Sequence, residues 1–439
     1  MGLSTLRNTF ITWNRDTGEP LHNFIVWKDL RAVRTCKEWN KRASVRSYSV
    51  LKRLAAPVAE TFRNMAVRLV PGTPAAGMLW MMQNNSEVRE KMLEGKLMYG
   101  TVDTWLIHRL TNGGSHVSEP SNASITGLMD LQKNKWNTSL LNMLQINKKC
   151  LPKLLSSNSV FGHVHEGWFG FSFPITGVMG DQQAAMFGEC CYQRGDTKLT
   201  LGTGAFLSVH TGQTPIMVKP TAGGYPVIGW QLEGQKPEYL IESDSSDTGT
   251  SILWAQQLDF FAEPAETISL ARSVPTSGGV YFVPAFSGIQ APVNDLCAVS
   301  SLIGLNPITS KAHIVRAVLE AIVFRVLQMH QLLQKQMPDQ HLLNIRANGG
   351  ISNNDFIMQL IADLTGSSVE RASNREMSAL GAAYMAGLGA GVWTSKAQLR
   401  RLRQLDITFK PETGHLEHYV SEFSDWQRAI ERCLKWYSH

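Results

Sequence analysis

Ile175 to Glu189 reads ITGVMGDQQAAMFGE. The apolar run Ile175 to Met179 has the length and content of a short buried strand. Gly180 breaks it, and Gln182 to Phe187 has helical composition. Asp181 is thereby set at the C-terminal tip of a strand, where a helix begins. In α/β sheets that tip faces the ligand crevice. A carboxylate there can take a proton from a substrate hydroxyl. It can equally cap the helix that follows. Position alone leaves both readings open.

Downstream, Lys198 to Gly212 reads KLTLGTGAFLSVHTG. Alternation on both sides of Gly202-Thr203-Gly204 predicts a β-hairpin. Two glycines around a threonine also let backbone N–H groups and one hydroxyl approach a phosphate closely. Ser246 to Leu258 reads as a glycine-broken helix start, and Gly279 to Gly288 as a strand running into a Pro/Gly loop. A long helix with an apolar stripe is expected over Ser310 to Lys335. LLNIRANGG, Leu342 to Gly350, is a strand ending in Asn348-Gly349-Gly350, and Asn353 or Asn354 can cap the next helix. Strand SSVER follows, then the small-residue helix SALGAAYMAGLGAG, whose composition permits close packing.

Upstream, TFITW (Thr9 to Trp13) and FIVW (Phe24 to Trp27) read as two strands around a polar turn. Lys28 to Arg53 holds nine Lys or Arg against two acids. With only Trp39 and Tyr48 for stacking, it reads as a solvated helix face rather than a nucleic-acid surface. Ala75 to Met98 is helical in character, Asp103 is placed to cap a helix within Tyr99 to Thr111, and Leu140 to Leu155 suggests another helix.

The 439 residues suffice for two or three domains, and 43% hydrophobic with 18% charged residues is ordinary for a globular protein. The net charge of +6 is compatible with anionic ligands such as nucleotides. Six cysteines form no CxxC pair and no disulfide framework, which fits a reducing compartment and argues against a zinc site. No apolar run reaches a membrane span: Arg316 and Arg325 interrupt the best one.

The order of these motifs is more specific than any one of them: a carboxylate at a strand tip, a GTG hairpin 22 residues later, then a strand-GG-helix unit far downstream. That arrangement resembles the FGGY carbohydrate kinases, and among them the glycerol kinases, most of all a divergent animal branch. The phrases FIVWKDLR, GTVDTWLI, SNAS, GDQQAAMFGE, LTLGTG, VPAFSG, NGG and ALGAAYMAGL carry the resemblance over nearly the whole chain. It implies an α/β protein of two ribonuclease-H-like (actin-like ATPase) domains with a cleft between them. Residues 1–188 would form the polyol-binding N-terminal domain, and 189–439 the nucleotide-binding C-terminal one.

The implied reaction is transfer of the ATP γ-phosphoryl group to a glycerol hydroxyl, with Mg²⁺, in the cytoplasm. By resemblance, Asp181 is the base and lies near the metal. Arg7, Asn8, Trp27 and Gln182 line the polyol. Gly202, Thr203 and Gly204 contact the phosphates, while Gly249, Gly349, Gly350 and Asn354 contact the nucleotide. The partners implied are glycerol and ATP, with no nucleic acid and no membrane span; a homo-oligomer is open.

Several positions depart from the family. Asn8 stands where glycerol kinases carry glutamate, Gly72 aligns with a substrate-contacting tyrosine, Leu253 replaces a glutamine and Asn348 an aspartate. APVNDLCAVSS replaces an aromatic and arginine-bearing loop. These changes leave a different polyol or sugar as an alternative acceptor. No Asp-x-Gly-Thr/Ser phosphate loop precedes Arg7. Either Met1 is an internal start or part of the ATP site is lacking. The expectation is an N-terminal domain truncated at its start, with weak ADP or ATP binding and little or no glycerol phosphorylation by residues 1–439. An inactive regulatory relative is the further alternative.

Overall fold

The computed structural model describes residues 1–42, 45, 68–218, 223–342, 344–412, 414 and 416–437. Part of the basic stretch Lys28 to Arg53 therefore lies outside the described residues. The chain begins with β1 (Gly2–Thr5) and β2 (Phe10–Asn14), then α1 (Val33–Lys41), α2 (Pro74–Asn84), α3 (Ser86–Leu93), β3 (Leu97–Thr101) and α4 (Val102–Leu110). In α1, Thr35, Cys36 and Trp39 are buried and the basic side chains are left for the outer side.

Four local expectations fail here. FIVW is no strand: Ile25 makes a single bridge to Phe10, and Trp13 bridges Pro20. Pro20 has no N–H, which interrupts a ladder at that point, and β2 pairs instead with β3, Phe10 opposite Thr101 through Asn14 opposite Leu97. Ala75 to Met98 divides into α2 and α3. Asn85 caps α3 by accepting from the Val88 N–H, Gly95 turns with φ +70°, and Met98 joins β3. Asp103 is not the cap, a place Thr101 takes: it is the buried second residue of α4, where the Thr101 and Ser118 hydroxyls donate to it at 2.5 and 2.6 Å. Leu140 to Leu155 is not one helix: a helix Thr138–Leu144 is stopped by Gln145 at φ +58°, and a 3-10 turn Lys148–Cys150 follows.

Next come β4 (Gly177–Gly180) and α5 (Asp181–Gly188), so the strand, the break and the helix fall where ITGVMGDQQ predicts. β4 pairs in parallel with β1, Thr5 beside Gly180. Seven of the later strands form one sheet, and the others pair in twos. The seven are β5 (Thr197–Leu201), β6 (Ala205–Gly212), β7 (Tyr225–Trp230), β8 (Glu238–Ser245), β9 (Asn344–Asn348), β10 (Ser368–Ala372) and β11 (Leu405–Phe409), in the order β7-β8-β6-β5-β9-β10-β11. β5, β6 and β8 are antiparallel neighbours, and β9 and β10 extend from β5 in parallel. That mixed order suits the ribonuclease-H-like core the resemblance implies.

Strand alternation decides what each face does. Leu199, Leu201, Leu207, Val209, Ile241, Ile345, Ala347 and Val369 join one core with α7 (Lys311–Gln336) and α8 (Asp355–Thr365). α7 is buried nearly all round. Its Arg316 is paired with Glu320 at 2.7 Å, and Arg325 donates to the Ala291 carbonyl at 3.1 Å.

The small-residue helix, α9 (Met377–Gly389), packs against α5, β1 and β4. A Cβ on Gly381 would lie 1.8 Å from the Ala184 oxygen, and one on Gly177 would lie 2.3 Å from the Ala386 nitrogen. These contacts are backbone against backbone, so side chains are excluded. The Ser378 hydroxyl also donates to the Asp181 carbonyl at 2.9 Å.

Candidate active site

Asp181 is the first residue of α5, one place past the N-cap position, and Gly180 is the cap. Its Oδ1 accepts the Gln182 N–H at 2.8 Å, and Arg7 Nε lies 3.3 Å from the same oxygen. The carboxylate is about one-third exposed. Behind it Glu119, fully buried, accepts from the Ser121 and Asn122 N–H groups, each at 2.7 Å. The Ser121 hydroxyl in turn accepts the Gly180 N–H at 2.8 Å. Burial pushes the Glu119 carboxyl up to about 7.

Arg7 reaches across to the seven-stranded sheet, where its Nη2 donates to Glu242 Oε1 at 2.6 Å. Burial disfavours the guanidinium charge, but Glu242 and Asp181 outweigh that and raise its pKa. Ser208 and Tyr225 each donate to Glu242 at 2.8 Å. Lys198, wholly buried, donates to Gln182 Oε1 at 2.7 Å. Burial lowers the Lys198 ammonium to about 8. The registers put Tyr225, Glu242, Ser208, Lys198, Arg346, Glu370 and Thr408 in one row across all seven strands. This polar row is the other face of the sheet whose alternate residues make the apolar core.

Of the residues expected around a polyol, Arg7, Asp181 and Gln182 are brought together. Asn8 adjoins them with φ +53°, a left-handed conformation that asparagine tolerates better than glutamate does. Asn8 Oδ1 and Arg7 Nη1 are buried and make no hydrogen bond within the protein. Trp27 stands apart. Lys28 Nζ lies 5.0 Å from its ring centroid, and among the described residues no hydrogen bond joins it to Arg7 or Asp181. Gly72 lies against the Trp27 carbonyl, where a Cβ would come within 2.6 Å.

β5 leads from Lys198 to the hairpin turn, three residues or ~10 Å along the strand. The turn closes with Gly202 N–H to Gly204 carbonyl at 2.9 Å. α6 (Gly249–Gln257) begins against it: Gly249 N–H donates to the Thr203 carbonyl at 2.9 Å, and a Cβ on Gly249 would lie 2.5 Å from the Gly202 oxygen. Gly349 turns with φ +88°, its Cβ position 2.4 Å from the Leu201 oxygen. Gly202, Thr203, Gly204, Gly249 and Gly349 thus converge from three segments.

The glycines there are of two kinds. Gly204, Gly249 and Gly349 are needed for close backbone packing, whereas Gly202 and Gly350 border open space. Asn354 caps α8, accepting from Ile357 N–H at 3.1 Å and donating to Thr267 at 3.0 Å. Asn348 bridges the Thr200 hydroxyl and Glu189. An aspartate at 348 would face the Glu189 carboxylate. Leu253 is about half exposed on α6.

Sequence reading missed Lys198, Ser208, Phe206, Tyr225 and Glu242. The signal was available in part: a lysine in KLTL and a glutamate in YLIE interrupt strands that are otherwise apolar. Nothing local marks them as partners of Arg7 and Gln182.

Residues 1–188 match the N-terminal domain of the FGGY family of carbohydrate kinases, and residues 197–390 match its C-terminal domain. The chain is similar to human glycerol kinase 5, 43% identical over 443 residues, covering 100% of this chain and 82% of that protein. It is 37% identical to glycerol kinase 2 of Thermotoga maritima over 99% of this chain and 84% of that one. The structure of Plasmodium falciparum glycerol kinase with ADP superposes with a TM-score of 0.87 at 32% identity, covering 99% of this chain and 83% of that chain. A xylulose kinase from Lactobacillus acidophilus, at 22% identity and TM-score 0.83, shares the fold.

Proposed function

The chain belongs to the FGGY family of carbohydrate kinases, and from that premise we propose that it transfers the γ-phosphoryl group of ATP to a polyol hydroxyl, with glycerol as the first acceptor to test. One observation carries this reading: Arg7, Asp181 and Gln182 gather at one end of a strand whose other end is the glycine turn. In this reading residues 1–188 hold the polyol and 189–439 the nucleotide. The cytoplasm, where ATP is abundant, is the expected setting, and six free thiols accord with it.

Asp181 receives the proton of the attacking hydroxyl, whose oxygen forms the new P–O bond as the bond to the ADP bridging oxygen breaks. Phosphoryl transfer is mostly positioning and charge stabilisation, so fixed donors matter. Arg7 is held by Glu242 and Asp181, and its free Nη1 is left for a hydroxyl oxygen. Lys198 takes Gln182 Oε1, which leaves the Gln182 amide N–H groups as the donors for an acceptor hydroxyl. Open space at Gly202 and Gly350 leaves room for phosphate and adenosine.

Among the described residues no cluster of three or more His, Cys, Asp or Glu could hold a metal by itself. One carboxylate, Asp181, with phosphate oxygens and waters is the donor set Mg²⁺ takes, and the ion would supply neutralisation of the phosphate charge.

The test is purified protein with ATP and Mg²⁺, offered glycerol and a panel of longer polyols and sugars, scored for phosphorylated acceptor. Asp181→Asn is expected to lower turnover at least ~10²-fold while ATP affinity by calorimetry is spared. Near-normal turnover in that variant would remove Asp181 from the base role. Little or no phosphorylated acceptor with weak ATP binding is the outcome expected of a chain lacking the phosphate loop, whereas loss of both phosphorylation and ATP binding would remove the kinase reading.

A further inference from the structure

Glu242 and Asp244 stand two residues apart on β8, so both side chains leave the polar face of the sheet. Glu242 is fully engaged by Arg7, Ser208 and Tyr225. Asp244 is half-buried and, among the described residues, forms no ion pair. Tyr225 is within reach of it, but that hydroxyl has one proton and gives it to Glu242 at 2.8 Å. Burial and the Glu242 charge push the Asp244 carboxyl up to about 6, against Arg325 and Arg7, which favour its charge.

Asp244 is paired in register with Phe206, whose ring centroid lies 5.8 Å from the Arg7 guanidinium carbon. An underused carboxylate therefore sits one residue row from the arginine proposed to bind the acceptor. That end of the site is short of acceptors. Arg7 Nη1 and the Gln182 amide are donors, and Asn8 offers a neutral oxygen. Every hydroxyl of a polyol has a proton to place, and Asp181 takes only that of the attacking one.

We propose that Asp244 is a specificity-determining residue of the acceptor site, its carboxylate receiving a hydrogen bond from a polyol hydroxyl other than the one phosphorylated. The proposal rests on the phosphotransfer reading above. It favours acceptors with a hydroxyl beyond the reacting group and its immediate neighbour, and it disfavours deoxy analogues that lack one.

The experiment compares wild type with Asp244→Asn and Asp244→Ala on glycerol, 1,2-propanediol and 1,3-propanediol. Two readouts are taken: KM and kcat with ATP, and acceptor binding without ATP by calorimetry. A hydrogen bond to a charged group corresponds to roughly a ten- to hundredfold change in affinity. The expected result is that Asp244→Asn raises KM and Kd for glycerol about tenfold, with kcat and the KM for ATP within about twofold. 1,2-Propanediol, which lacks the hydroxyl beyond the reacting group's neighbour, should bind wild type as weakly as glycerol binds the variant, and should be indifferent to the substitution. Equal binding of all three acceptors to wild type would overturn the proposal even if neither variant folds. So would unchanged glycerol KM and Kd in a folded variant. Wild type that neither binds nor phosphorylates any polyol would sink the kinase reading, and this assignment with it.

Discussion

At the end of the site proposed to take the acceptor, four charged side chains from four segments meet: Arg7, Asp181, Lys198 and Glu242. At the nucleotide end, five residues of the GTG turn, the α6 start and the GG turn meet, and the contacts are peptide groups. The difference teaches how each ligand would be recognised. A small polyol offers only hydroxyls, so the protein has to fix donors and acceptors by side chains held rigid against burial. A phosphate chain is large and charged, and backbone N–H groups reach it best where no Cβ intervenes. The two ends should accordingly fail in different ways.

The largest expected effect is at Glu242, which is fully buried. Glu242→Gln leaves Arg7 and Lys198 short of their shared counter-charge, and breaking a buried pair costs about 3–5 kcal/mol. Denaturant unfolding should show that loss, and the polyol KM should rise while ATP affinity in the folded fraction holds. Equal losses for both ligands would erase the distinction between the ends.

The reciprocal substitution is Gly249→Ala. Its methyl would sit 2.5 Å from the Gly202 oxygen, so the turn must move. Overpacking of this kind costs about 1–3 kcal/mol. ATP affinity by calorimetry should fall with little change in polyol binding. A change in polyol binding alone would mean the turn belongs to the acceptor end.

Asn8→Glu sharpens the comparison in the gaining direction. A charged acceptor contributes about 1.5–3 kcal/mol, and holding a glutamate at φ +53° costs roughly 1–2 kcal/mol of it back. A modest drop in glycerol KM is expected. If glycerol kinetics do not change and another polyol is the better substrate, glycerol is the wrong acceptor.

The last expected effect is a slope with pH. Glu119 is raised from 4.5 to about 7 in the folded protein by burial. Between those values the folded state keeps a proton that the unfolded state has released, so stability is full below pH 4.5 and declines as pH rises toward 7. Glu119→Gln should flatten that decline in unfolding midpoints measured across pH 5 to 7. An unchanged slope would assign it to other groups.

Much of this was readable in the chain. ITGVMGDQQ carries a short apolar run and KLTLGTG and NIRANGG carry period-two apolar positions, all closed by glycine, and each is a strand ending where the glycine says. Asn354 caps α8 because its side chain competes for the backbone locally. What could not be read was pairing at a distance. Phe24 to Trp27 has strand composition, but β2 had a better partner in Leu97–Thr101, and composition carries no record of the rival. Asp103 looks like a cap by position, yet tertiary burial gave it the Thr101 and Ser118 hydroxyls. Lys198 and Glu242 declare themselves as misplaced charges, though not whose charges they answer.

The seam between α5 and α9 has a mechanical consequence. Gly188 and Gly381 each leave no room for a Cβ against the opposing backbone. Helices in such contact cannot slide without collision, so they turn as one piece. Were residues 1–188 to rotate against 189–439, this seam would be the natural fulcrum. Asp181 begins α5 and its carbonyl is tied to Ser378 of α9. A lever's stillest point is at its fulcrum, so Asp181 would travel least as the jaws open and shut, and the glycine turn would be carried to it.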